Sequence, residues 1–117
     1  MSTRSAKFVP TAPDKWPTAP LEVQLPSGAR VLASRPNIFV WHKTGQLPDE
    51  VWATIIAASR NETVELDAKI EAINWLITRC VVDPSISIMP REGSVCIDDI
   101  DDVDREFLMV RLGIGLG

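Results

Sequence analysis

Leu21-Glu22-Val23-Gln24-Leu25 alternates apolar and polar residues, Pro26-Ser27-Gly28 supplies turn chemistry, and Ala29-Arg30-Val31-Leu32-Ala33 follows as a second strand, so the pattern predicts a short β-hairpin. The period then changes. Pro36 stands where a helix tolerates proline in its first turn and Gly45 is a natural stop, which predicts a short helix over 36–44. Its residues Ile38, Phe39, Val40 and Trp41 are consecutive and wrap most of its circumference. A helix apolar all round must be buried or meet a partner, which makes Phe39 and Trp41 candidate partner-binding residues. Pro48-Asp49-Glu50 repeats the start signal, with acids where the helix dipole favours them, and Val51, Trp52, Ile55, Ile56 and Ala58 carry a second helix over 48–60.

The longest periodic signal is a third helix, starting near Thr63 or Val64 and running through Cys80 or Val81. At about 100° per residue, Leu66, Ile70, Ile73, Ile77 and Cys80 fall together, while Trp75 falls on the opposite side with Ala68, Ala72 and Arg79. The helix therefore has two apolar faces. The Trp75 face is open to two readings: it is covered by the rest of a small domain, or it is an interface anchor. Tryptophan beside small residues and an arginine has the make-up of a binding hot spot. On the second reading Ala68, Ala72, Trp75 and Arg79 join the partner-binding candidates.

Asp83-Pro84 ends this helix, and Ile86-Ser87-Ile88 and Val95-Cys96-Ile97, separated by Pro90-Arg91-Glu92-Gly93, predict a further hairpin or an edge pair. The acids of Asp98-Asp99-Ile100-Asp101-Asp102-Val103-Asp104-Arg105-Glu106 precede an apolar run and mark a last helix, capped by Asp101 or Asp102 and stopped by Gly113. Ile100 and Val103 interrupt the acids as core-pointing residues would. The sum is an α+β fold: a mainly helical small domain of three to four helices, with an N-terminal β-hairpin and short additional strands, over 21–117. Before it, Pro10, Pro13, Pro17 and Pro20 make residues 1–20 an extended arm with Phe8, Val9 and Trp16 as apolar handles. Such an arm is either a mobile leader or a strap that docks on a neighbouring subunit, giving a homo-oligomer.

Composition narrows the function. The 117 residues suit one domain, and 45% hydrophobic with 24% charged residues is ordinary globular usage. No apolar run approaches the roughly 20 residues of a membrane-spanning helix, and no signal-peptide stretch follows Met1, so a cytosolic protein that leaves membranes alone is expected. Residues 1–45 hold six Lys/Arg against two acids, whereas 46–117 hold six against fourteen. That polarity can pair one copy with the next, but it offers no broad basic surface for nucleic acid.

Catalytic and metal chemistry find little footing. Counted from Asp99 as an EF-hand loop, the acidic run puts Asp104 where glycine is needed and Val110 where the closing glutamate is needed. His42 is the single histidine, and Cys80 and Cys96 form no CxxC and lie in apolar runs that disfavour the thiolate. The alternation Gly113, Gly115, Gly117 has no helix after it to hold a phosphate. The reading is of a protein without catalytic residues, cofactor or metal.

One ordered set of segments remains: Lys7-Phe8-Val9-Pro10, then Leu25-Pro26-Ser27-Gly28-Ala29-Arg30-Val31, Ser34-Arg35-Pro36, Thr44-Gly45-Gln46-Leu47-Pro48-Asp49, Arg79-Cys80-Val81-Val82-Asp83-Pro84, and Ile97 through Arg105. Over about residues 20–115 this order resembles the small tail assembly chaperones and related tail proteins of long-tailed bacteriophages and prophages. The resemblance implies a non-enzymatic protein of the host cell cytoplasm that binds the tape-measure protein, keeps that long helical partner soluble and assists recruitment of tail-tube protein. It also admits a virion structural subunit, a tail-completion or adaptor protein retained in the mature particle. The chain departs from the family pattern at Leu108-Met109-Val110-Arg111-Leu112, which stands in place of an aromatic-rich stretch.

Overall fold

Alternation builds the hairpin as expected: β1 (Leu21–Gln24) and β2 (Arg30–Ala33) pair antiparallel with Val23 opposite Val31. The turn between them puts Pro26 second and Gly28 last, at φ 96°, where a residue without Cβ is favoured, and the Gly28 N–H donates to Leu25 O at 2.8 Å. The structure, a computed structural model, describes residues 8–114, so the first seven residues of the arm and the last two glycines of the terminal alternation lie outside the described residues.

Four helices follow, α1 (Ile38–Lys43), α2 (Asp49–Ser59), α3 (Leu66–Cys80) and α4 (Asp102–Arg111). Between α3 and α4 lie β3 (Val81–Asp83), β4 (Ile86–Ser87), β5 (Val95–Cys96) and one turn of 3-10 helix at Ile97–Asp99. Together with the hairpin they make the small, mainly helical α+β domain that the pattern predicts. Another turn of 3-10 helix, Pro13–Lys15, interrupts the arm. The arm itself is exposed from Phe8 to Pro20, and the described residues have a radius of gyration of 17.0 Å, against roughly 13 Å for a compact domain of this length.

Several expectations need correction. The third helix begins at Leu66 rather than Thr63 or Val64, because Asn61 at φ 57° and an extended Glu65 still belong to the turn after α2. Right after Cys80 the chain becomes β3, which adds to β2 with Val81 opposite Ala33, making a three-stranded sheet in the order β1-β2-β3. β4 and β5 pair in parallel, with Ile86 opposite Val95, and so form an edge pair and not a hairpin. The inner side of α3 is Ala72, Leu76, Ile77 and Cys80, whereas Leu66 at 69% and Ile70 at 41% are exposed. The buried sector thus lies between the two expected faces, because the rest of the domain covers the C-terminal half of α3 from Ala72 to Cys80 and leaves Leu66 and Ile70 outside.

α4 is the helix with two apolar faces. Leu108, Met109 and Leu112 point into the core, whose innermost members are Leu76, Ile77, Cys80, Ile97 and Leu108. Val103, Phe107 and Val110 recur at four and three residues on the other side, and Val103 is 63% exposed rather than core-pointing. Ile100 does pack against the core. Both ends of α4 are closed. Asp101 accepts the Asp104 N–H at 2.8 Å, and Gly113 and Ile114 donate to Val110 O and Met109 O at 3.0 and 2.9 Å, the paired bonds of a Schellman stop.

Asp104 does more than sit in the dipole. It is only 5% exposed, and its carboxylate accepts from Ser27 N at 3.0 Å and from Ser27 Oγ, so α4 holds the tip of the hairpin. The guanidinium of Arg105 donates to Ile97 O and Ile100 O at 2.9 Å each and fixes the 3-10 turn against the same helix. Sheet, α3 and α4 are thereby tied around one core, and α1 with the arm is left at the margin.

Candidate functional site

Phe39 lines one depression beside the core, Ala68, Ala72 and Trp75 line another, and Trp41 and Arg79 lie outside both. α1 lies beside the hairpin, and its six residues are all at least partly exposed. Ile38 and Trp41 pack inward, while Phe39 is 78% exposed. Phe39 is braced and not loose: its ring meets Trp52 of α2 edge-on at 6.3 Å, and Trp52 stacks on His42 at 3.8 Å and 10°. Across from Phe39 stands Val110 of α4, 76% exposed. Leu21, Ile38, Phe39 and Val110 line an open hollow of about 700 Å³, with Arg35 and Arg111 in the same wall. An apolar floor flanked by two guanidinium groups suits an amphipathic segment whose polar edges carry carboxylates.

Trp41, on the inward side of α1, joins a different group. Its ring meets Trp75 edge-on at 5.7 Å and 76°, Arg79 lies over it at 5.3 Å, and Arg79 also hydrogen-bonds Gln46 Oε1. Gln46 and Leu47 donate from their backbone to Trp41 O at 2.8 and 3.1 Å. Trp41, Trp75 and Arg79 are thus brought together as an internal clasp of α1 to α3. Along the Trp75 face only Ala72 is buried, while Ala68 and Trp75 are half-buried and Arg79 is exposed. Ala72 is 1% exposed and belongs to the core, which corrects its assignment to a partner surface: the domain itself covers its methyl group, which only borders the floor of the cleft between α2 and α3.

Ala68 and one side of Trp75 remain accessible in the second depression, a cleft of about 360 Å³ between α2 and α3 that Val51 and Ile88 also line. Neither Arg35, Val110 and Arg111 in the hollow nor Ile88 in the cleft stands out from the sequence alone. The available signal was the spacing Val103, Phe107, Val110 on a helix whose other face already holds Leu108 and Leu112.

The thiols and the histidine sit apart from both depressions. Cys80 is fully buried, and burial pushes its thiol from 9.0 up to about 11, with Arg79 pulling weakly the other way. The Cys96 thiol faces Ile88 O at 3.6 Å, and His42 is stacked on Trp52. Among the described residues no three His, Cys, Asp or Glu side chains gather as a metal site would require, and no helix is long and apolar enough to cross a membrane. Compared with protein families, with curated proteins and with solved structures, the chain finds no match.

Proposed function

We propose that this protein is a non-enzymatic tail assembly chaperone of a long-tailed phage or prophage, acting in the host cell cytoplasm by holding an amphipathic helical segment of the tape-measure protein in the hollow between α1 and α4. Two things support the reading. The ordered segments from Leu25-Pro26-Ser27-Gly28 to the Asp98–Asp104 acids resemble that family. The observation that carries the mechanism is Phe39, exposed yet braced by Trp52, facing Val110 across an apolar floor between Arg35 and Arg111.

Apolar groups fixed in water are stabilised when a partner covers them, and a helix presents apolar residues every three or four positions to such a floor. The two arginines select partner helices with acidic flanks and orient them, and the same contact keeps a long apolar rod from meeting its own copies. No bond is made or broken. Tail-tube protein then takes over the tape measure as the tube grows around it.

The test is co-expression with the tape-measure protein of the same tail. Wild-type chain should keep that partner in the soluble fraction and co-purify with it, while Phe39→Asp with Val110→Asp should release it; undiminished recovery with the double variant removes the reading. A second reading, a structural subunit retained in the virion, is favoured by the exposed proline-rich arm, and the presence of the chain in purified mature particles distinguishes it from a chaperone that leaves.

A further inference from the structure

The cleft between α2 and α3 and the arm fit each other. Val51, Ala68, Trp75 and Ile88 give the cleft apolar walls, and the exposed acids Glu50 and Glu71 line it as well. Asn74 contributes too, and its Oδ1 is buried with no hydrogen-bond partner among the described residues. The arm offers the complement. Trp16 is 66% exposed, carries one N–H donor on an apolar ring and follows Lys15 directly. Residues 1–20 hold three bases against one acid, and residues 46–75, which supply most of the cleft, hold six acids against two bases.

We infer that the arm of one copy docks in the α2/α3 cleft of a second copy, with the indole of Trp16 between Ala68, Trp75 and Ile88, and Lys15 beside Glu50 and Glu71. Four prolines limit the conformations the arm gives up on docking, so less entropy opposes the contact. The arm is tied to its own domain by a hydrogen bond from Arg35 to Ala19 O at 3.2 Å, and Phe8 to Trp16 before it are exposed. Outside the 3-10 turn at Pro13–Lys15 its prolines favour an extended chain, which reaches further than a folded one of the same length. Exchange of arms between copies gives a closed pair if reciprocal and a ring if passed on head to tail. The contact stands apart from the hollow, so it holds whatever helix the hollow receives.

The full-length chain at high micromolar concentration should sediment as a dimer or larger species. Trp16→Ala and Ile88→Arg change exposed positions and leave the fold intact by circular dichroism, and each should weaken self-association at least tenfold. The two variants mixed in equal amounts should form a one-to-one heterodimer, because one brings an intact cleft and the other an intact arm. A wild-type chain that stays monomeric, with Trp16 shielded by its own cleft or free in solvent, overturns the inference. So does a Trp16→Ala chain that associates as wild type does, or a mixture that stays monomeric. Trp16→Ala should still retain the tape-measure protein in the co-expression test, so the failure of either idea is visible without the other.

Discussion

α1 and α4 border the same hollow, yet they are held in opposite ways. α4 has a side-chain cap at Asp101, a double-bonded stop at Gly113 and Ile114, a buried carboxylate gripping Ser27, and a face of Leu108, Met109 and Leu112 sunk in the core. α1 has six residues and no side-chain cap bond, and it is secured through aromatic rings: Trp41 against Trp75 beneath, Phe39 and His42 against Trp52 at the side. One helix is fixed by the burial of its own residues, the other by neighbours that hold it at the surface. The difference shows how a small domain can display a large apolar ring: the edge contact with Trp52 holds Phe39 at the surface, where most of its apolar area stays free for a partner to cover.

The contrast can be broken from the α4 side first. Leu108→Ala removes a fully enclosed side chain from the inner face and should cost about 2–5 kcal/mol in denaturant unfolding. A loss below about 1 kcal/mol would mean that α4 is not part of the central packing. Asp104→Ala strips the acceptor from two Ser27 donors and should cost about 2–3 kcal/mol, with the hairpin amides exchanging faster than those of α3. Equal exchange in both elements would deny the clasp its local role.

A pH series probes the junction below α1. The Cys80 thiol ionises near 9.0 in the unfolded chain and only near 11 in the fold, so between those values the folded state holds the proton that the unfolded state has lost. Stability from this group is therefore whole below pH 9.0 and drains away as pH rises through about 11. Cys80→Ala should flatten that alkaline decline, and an unchanged profile would assign the decline to other groups. The smallest effect belongs to α1 itself: Phe39→Ala should shift stability by no more than about 0.5 kcal/mol, since the ring is already in water, while tape-measure recovery falls. A cooperative loss of several degrees in melting temperature would turn Phe39 into a structural residue and the hollow into an accident of packing.

Local chemistry was readable in the residues, and non-local chemistry was not. Pro26-Ser27-Gly28, Asp101 and Gly113 act within four positions of themselves, so turn, cap and stop follow directly from the sequence, as do the bounds of α2 within a residue at each end. Periodicity along α3 reflects side-chain type alone, and it does not show that Leu66 and Ile70 stay exposed while Ala72, Leu76 and Ile77 are covered. Val81-Val82-Asp83 reads as the tail of a helix until Ala33 is known to lie opposite Val81. Asp104 is indistinguishable from the five other acids around it by composition, and only its long-range partner Ser27 sets it apart. Of the candidate residues, Phe39 was legible because a run of four apolar residues on a short helix leaves some of them outside. Trp75 and Arg79 share a face in the sequence, but their meeting with Trp41 of another helix is a long-range contact that no local pattern shows.

The bond from Asp104 back to Ser27 joins positions 77 residues apart. During synthesis the hairpin's tip therefore emerges long before the carboxylate that secures it. A ribosome must add 77 residues beyond the hairpin's turn before that turn is locked, and a chain cut short ahead of the aspartate leaves the hairpin without its latch.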